Sequence, residues 1–421
     1  MAGNSMITTD PANAKPRVSA PPEEIAPGVL MHASFVNTYA VRTDAGLLLI
    51  DPGLAAGSAS VHEAVRRWSI EPLHTAVYTH GHADHAFGLR AFLEAGENPA
   101  ILAQENVPAR FRRYHLTHGY NARINQRQFG LAKPSFPDRF DWPTHTFSRS
   151  MSTRLGATEV HLHAARGETD DHCYVWIPER SYLFTGDLVI WVAPNCGNPQ
   201  KVQRYPVDWA EALEEMAGLD AEWLFPGHGL VIQGRAAVRQ VLTETARYLR
   251  VLIDQVLERM NAGETPEEIF HAVEPDPVLA QRPYLRAAYD HPKFIVRNLL
   301  RLWGGWWNGN AADLLPATPA RRAGEIAALA GGVARVVARG RERLEAGDTV
   351  MAAHLCEWAT RSEPGDRDAQ ALKRDVYERR LAEEASLMGQ GIYRAAMNDA
   401  RRALGEEPVA SGAGLALGDP R

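Results

Sequence analysis

Cysteine is scarce in this chain of 421 residues: there are 3, at Cys173, Cys196 and Cys356, and none sits in a Cys-x-x-Cys pair. A disulfide framework is therefore excluded. Positive charge is not in excess either, with 45 Lys and Arg against 51 Asp and Glu and a formal net charge of -6. A general nucleic-acid binder needs a basic face and is disfavoured, although a local basic pocket remains compatible with this balance. No apolar run approaches the ~20 residues that span a bilayer. The opening MAGNSMITTDPANAKPRVSAPPEE lacks the apolar stretch of a secretory signal, so a cytoplasmic protein is expected, with export left open. What is present is otherwise ordinary for a globular chain, 45% hydrophobic and 23% charged, and long enough for two or three domains. The unusual count is 16 histidines, several of them clustered.

Residues 1–22, rich in Pro, Ala, Ser and Asn, read as a mobile tail. From there to about 235, short apolar strands alternate with helices. NTYAVRTDAGLLLID (37–51) reads as strand, turn and strand, and HTAVYTH (74–80) as a further strand. HAFGLRAFLEAG (85–96) is amphipathic and reads as one helix stopped by glycine. HCYVWIPERSYLFTGDLVI (172–190) reads as a hairpin turning at Pro178–Ser181, and AEWLFPGHG (221–229) as a buried strand entering a glycine loop. Beyond 235 the strand signal ends. One long helix runs to Asn261-Ala262-Gly263. Thr265, Pro266 and Glu268 then open another with a capping box. Residues 320–405 read as helical hairpins broken at Ala346-Gly347-Asp348 and Pro364-Gly365-Asp366.

The strongest chemical signal is His80-Gly81-His82-Ala83-Asp84-His85, directly after the strand TAVYT. Three imidazoles and a carboxylate in six residues are costly to bury without a compensating charge. A divalent cation supplies that charge, and imidazole with carboxylate suits zinc better than iron or manganese.

With its preceding strand, this His-x-His-x-Asp-His resembles the signature of the metallo-β-lactamase superfamily. The remaining parts follow in order: Asp51 in LLLIDPGL, Asp187 in LFTGDL and His228 in LFPGHG. The resemblance covers residues of about 23 to 235 and implies an α/β fold of the αββα sandwich type. One position departs from the common form. Counting 19 back from Asp187, where most members have a histidine, gives Glu168 in Gly167-Glu168-Thr169. A glutamate there resembles the alkylsulfatase branch. His172, four residues on, is the alternative ligand if the loop is shifted. Arg282-Pro283-Tyr284-Leu285, VRNLLRLWGGWWNGN (296–310) with Trp303, Trp306 and Trp307, AGDTVMAAHLCEWA (346–359) and SLMGQGIYRAAMNDA (386–400) are similar to the helical dimerisation domain of that branch.

The resemblance thus implies a catalytic domain over 23–255, an all-α dimerisation domain over 256–405 and a disordered tail over 406–421. No stretch similar to the sterol-carrier-like domain of those sulfatases follows, which leaves a long-chain substrate unsupported. It also implies a ligand set. His80, His82 and Glu168 hold a first metal, Asp84, His85 and His228 a second, and Asp187 bridges them, with Asp51 behind the metal loop and His172 behind the centre. Two Zn2+ per chain are expected, ~3.5–4 Å apart and sharing a water whose pKa falls toward ~7. The expected reaction is hydrolysis of an organic sulfate ester by a homodimer. Such an ester is a small anion, so cations and polar donors should line the pocket. Asn195, Lys201 and Arg204 in NCGNPQKVQRY, and Tyr120, Asn121 and Arg123 in GYNAR, are the candidates. Competing expectations are a hydrolase of the same fold acting on a thioester, lactone or phosphoester, and a dimeric metal-binding scaffold without chemistry.

Overall fold

The computed structural model describes residues 6–410. Fourteen strands among them form two seven-stranded sheets. The chain enters with β1 (Ile7–Thr8), then runs β2 (Ala20–Ala26), β3 (Val29–Ala33), β4 (Asn37–Thr43), β5 (Gly46–Ile50), β6 (Leu73–Val77), β7 (Ala100–Gln104) and β8 (His145–Phe147). The later strands are β9 (Ser150–Leu155), β10 (Thr158–Ala164), β11 (Cys173–Ile177), β12 (Tyr182–Gly186), β13 (Trp223–Pro226) and β14 (Val231–Gln233). One sheet keeps sequence order from β2 to β8; the other runs β1-β14-β13-β12-β11-β10-β9. Ile7 and Thr8, inside the stretch expected to be a mobile tail, pair in parallel with Val231 and Ile232.

In the first sheet β2 to β5 pair antiparallel and β5 to β8 in parallel. Parallel strands are covered on both faces, which accounts for the unbroken apolar run of β5. Leu48 and Ile50 face the other sheet's core, while Leu47 and Leu49 face a separate apolar cluster with Val61, Val65 and Phe92. The sheets meet at Tyr39, whose ring stands edge-on to Phe184 and Phe225 at 5.4 Å and whose hydroxyl donates to the Pro226 carbonyl at 2.8 Å.

The helices between and after the strands are α1 (Ser58–Trp68), α2 (Ala83–Ala86), α3 (Arg90–Glu94), α4 (Val107–Leu116), α5 (His118–Phe129), α6 (Pro206–Ala217) and α7 (Arg235–Asn261). The single helix expected over 85–96 is instead two short ones, α2 and α3. Gly88 lies between them, and a Cβ there would stand 2.1 Å from the Pro52 carbonyl oxygen. The close approach of the Pro52 loop, invisible to periodicity, breaks the helix. The long helix α7 and the capping box before α8 (Pro266–Ala272) are as expected: Thr265 Oγ1 accepts the Glu268 N–H, and Glu268 Oε2 accepts the Thr265 N–H.

Two compact units result, 6–118 with 136–305, and 119–135 with 306–410. The first therefore keeps α7, α8 and α9 (Pro292–Trp303) with the sandwich. In the second, α10 (Pro319–Ala330), α11 (Val333–Glu345), α12 (Thr349–Ser362), α13 (Arg367–Glu383) and α14 (Leu387–Leu404) follow one another through short turns. Both breaks read from sequence are N-caps: Asp348 accepts from the Met351 N–H and Asp366 from the Ala369 N–H. No helix among the described residues is long and apolar enough to cross a membrane. The tail expected from 406 lies outside the described residues from 411 onward.

Candidate metal centre

Every residue of the expected ligand set follows the end of a strand or sits in the first turn after it. The His80–His85 segment follows β6 and runs into α2, and it is pinned by Asp51 at the end of the neighbouring β5. Asp51 accepts the Thr79 N–H and the Thr79 hydroxyl, both at 2.8 Å, and the Nδ1–H of His85 at 2.8 Å. It does so with a left-handed φ of +53°, a conformation uncommon outside glycine but tolerated by aspartate. Because Nδ1 of His85 donates to a carboxylate, its Nε2 lone pair points inward, 3.1 Å from Asp187 Oδ1. His228 is oriented in the same way. Its Nδ1 donates to the Phe35 carbonyl at 2.6 Å, leaving Nε2 3.2 Å from Asp187 Oδ1. Gly227 permits this approach, since a Cβ there would stand 2.2 Å from that same oxygen.

The groups collect into two clusters in which each residue offers one ligand atom and all lie within 4.8 Å of one another: His80, His82, Glu168 and Asp187, and Asp84, His85 and His228. Asp187 faces both, through Oδ2 toward His80 (3.9 Å) and through Oδ1 toward His85 and His228. Glu168 comes from the loop after β10. Its Oε1 is held by the amide of Asn195 and by Arg204 (3.3 Å), while Oε2 points at His80 Nε2 and His82 Nδ1, 3.9 and 3.7 Å away.

Buried His85 Nε2, Glu168 Oε2 and Asp187 Oδ1 have no hydrogen-bond partner. Such groups are normally satisfied, and their convergence fits a pair of divalent cations. The electrostatics agree. Burial, with His85 and His82 as neighbours, keeps His80 well below the usual imidazole range, and burial with Arg204 and Arg110 does so for His82, so both rings are neutral donors. Burial opposes a charge on His85 and His228, but Asp187 and the other carboxylates outweigh it and raise both. Burial would also raise Asp187, yet His85 and His228 hold it well below the carboxylate range. Glu168 is pushed well above that range by burial, with Asp187 adding to the effect against the pull of Arg204. Left to protons alone, the centre shares them unevenly; dications would balance its three carboxylates directly.

His172 lies outside both clusters. Its Nε2 accepts the Asp187 N–H at 3.1 Å and its ring stacks on His80, with centroids 4.7 Å apart. Burial above all holds it at about 4. Asn195 and Arg204, expected to face a substrate, are turned onto Glu168, and Arg204 also donates to the Glu168 carbonyl. Lys201 is drawn down to about 8 by burial and by Arg204, while Asp84 and Glu168 pull the other way, so its ammonium lies within the field of the centre. Tyr120, Asn121 and Arg123 belong to the second compact unit, whereas both clusters lie in the first.

Three features were missed by sequence reading. Tyr289 lies within the field of Glu168, Asp84 and Asp187, which add to burial in raising its hydroxyl well above its usual value. Asn298, on α9, brackets Arg204, donating to its carbonyl at 3.0 Å and accepting its N–H at 3.4 Å. Asp171 accepts the Gly81 N–H and pairs with Arg110. RAAYDH and RNLL contain no motif, and the only signal for Asn298 was the family likeness of 296–310.

Two facing sheets between helices, with imidazoles and carboxylates gathered at the strand ends, form an α/β sandwich that carries a candidate metal centre. Residues 33–228 match the family model of the metallo-beta-lactamase superfamily and residues 265–403 that of alkyl sulfatase dimerisation. The two matches, in this order along the chain, are similar to the alkylsulfatase branch of the metallo-β-lactamase superfamily. It is 28% identical over 367 residues to a linear primary-alkylsulfatase of Pseudomonas sp., covering 80% of this chain and 69% of that protein. It is 23% identical over 388 residues to an (R)-specific secondary-alkylsulfatase of Pseudomonas sp., covering 85% of this chain and 58% of the relative. The solved structure of a stereoselective inverting sec-alkylsulfatase from Pseudomonas sp. has the same fold, with a TM-score of 0.81 at 22% identity over 90% of this chain and 65% of that one.

Proposed function

We propose that this protein is a dinuclear metal-dependent hydrolase that cleaves an alkyl sulfate ester. The observation that carries the reading is the convergence of His80, His82 and Glu168 on one side and Asp84, His85 and His228 on the other, with Asp187 between them. The alkylsulfatase relatives point the same way. Zinc is the proposed metal, because four imidazoles and three carboxylates suit it. When bound, two such cations acidify water and draw electron density from the ester.

The chain's own residues do the rest. Asp51 fixes the His85 tautomer, and His172 holds the backbone of Asp187. Asn195 and Arg204 fix Glu168 through Oε1 and leave Oε2 for the first metal. Lys201 and Tyr289, both within the field of the centre's carboxylates, are the groups proposed to meet the sulfate oxygens. The matched stretch 265–403 would make the protein a homodimer. Three buried free cysteines suit a reducing compartment, so a cytoplasmic location is part of the proposal.

The purified protein should contain about two zinc ions per chain. It should release sulfate from an alkyl sulfate within a panel of alkyl sulfates, aryl sulfates, thioesters, lactones and phosphodiesters, and Asp84→Ala should abolish that release. Turnover of a thioester, lactone or phosphodiester alone would replace the sulfate reading with another hydrolase of this fold. Absence of metal would leave a scaffold.

A further inference from the structure

The two loops that carry the first-metal ligands are tied together by a buried ion pair that no ligand motif contains. Arg110 projects from α4 with its side chain 2% exposed, and Asp171, three residues after Glu168, is fully buried. Arg110 Nε donates to Asp171 Oδ2 at 2.5 Å, and its terminal nitrogen donates to Asp170 Oδ1. The same Asp171 oxygen accepts the N–H of Gly81 at 3.2 Å. Asn106, just before α4, adds a bond from its side-chain amide to the Asp170 carbonyl at 3.1 Å. One carboxylate thus touches both the residue between His80 and His82 and the loop that presents Glu168.

The fit is close. A Cβ on Gly81 would stand 2.8 Å from both Arg110 Cδ and Asp171 Oδ2, so the pair rests directly on the Gly81 backbone. Burial works against the charge on Asp171, but Arg110 outweighs it and holds the carboxyl below its usual range. A buried ion pair is weak as a source of stability, because desolvation offsets its attraction and apolar replacements often do as well. Its better-attested use is to fix register. Here the two parts in register are the His80–His82 turn and the Glu168 loop. The second cluster has its own supports, Asp51 for His85 and the Phe35 carbonyl for His228.

We propose that Arg110 and Asp171 are positioning residues that lock the spacing between the His80–His82 turn and Glu168, and so set the metal affinity of the first cluster while leaving the second almost untouched. The inference rests on the two-metal reading above, and its test separates the two. Metal-stripped wild type, Asp171→Asn, Arg110→Lys and the apolar pair Arg110→Met with Asp171→Leu are titrated with zinc against a chelating indicator, with thermal midpoints recorded in parallel. Asp171→Asn keeps an oxygen for the Gly81 N–H and loses the charge. Arg110→Lys keeps the charge and loses the fork, a milder change in case the first variant folds poorly.

In wild type two equivalents bind. In the single variants one equivalent should weaken roughly 10- to 100-fold, the range typical for groups that orient ligands, while the other stays within about twofold. The apolar pair should recover the thermal midpoint without recovering that equivalent, which a purely structural role does not predict. Unchanged titrations in the variants overturn the inference, as do equal losses at both equivalents or metal affinity returning together with the midpoint. Wild type that binds no zinc overturns the two-metal reading itself.

Discussion

His85 and His228 each commit Nδ1 to a fixed acceptor and turn Nε2 inward, so that half of the metal centre is held by one carboxylate and one backbone carbonyl. On the other side, His80 and His82 face each other, with Nε2 of one 2.9 Å from Nδ1 of the other, and Glu168 is held at arm's length by Asn195, Arg204 and the Asp171–Arg110 pair. The second half is supported by groups next to it in the sheets. The first depends on charged side chains from a helix and from the 195–204 loop, itself tied to α9 through Asn298. A ligand set of similar chemistry on both sides therefore has unequal mechanical support. The side that departs from the common histidine, at Glu168, is the one surrounded by buried guanidinium groups.

The largest effect should come from the residue the two halves share. Asp187→Ala should lose both metal equivalents and lower sulfate release by more than about 1000-fold, read by metal content and steady-state kinetics; loss of only one equivalent would mean that Asp187 belongs to one half.

Next comes the support of the 195–204 loop. Asp290 is buried and accepts the N–H of Gly197 at 2.5 Å and of His291 at 2.8 Å, and burial raises its carboxyl to about 7 despite those bonds. A carboxyl raised in the folded state favours folding most below its unfolded value, and the contribution fades as pH rises through the folded one. Relative to Asp290→Asn, wild type should therefore lose up to about 4 kcal/mol of stability between pH 4 and 7, checked by denaturant unfolding across that range. Parallel curves would remove this pH sensitivity from the Glu168 side.

Asp51→Asn tests the opposite half. It should weaken one zinc equivalent by roughly 10- to 100-fold and spare the one affected by Asp171→Asn, so that the two variants titrate different steps. If both lower the same step, the division drawn here fails. The smallest change should follow Glu168→His, which restores the common histidine and removes one negative charge. Activity should persist, with the acidic limb of the pH–rate profile displaced to lower pH. An unmoved limb would show that the extra charge is cancelled by Arg204.

The expected ligands of both halves were named from the sequence, but of their supports only Asp51, on the second half, was expected in the role it has here. The His80–His85 spacing is a local pattern read directly from the chain, whereas Asp51, Asp187 and His228 were expected from the family resemblance. Asp348 and Asp366 were read only as breaks and proved to be caps, while the Thr265 cap was readable, because a cap is decided within four residues. The break at Gly88 was not, since Pro52 causes it from another loop. The orientation of Asn195 and Arg204 toward Glu168 was likewise hidden.

Residue order alone determined the ligand types, their spacing and the alternation of the strands that deliver them, because those depend on neighbours along the chain. Only packing decided which guanidinium meets which carboxylate, that Asp171 reaches Gly81 across 90 positions, and that a phenol from 289 enters the field of the centre. Such contacts depend on how sheets and helices close over one another, and no short stretch of sequence contains that information.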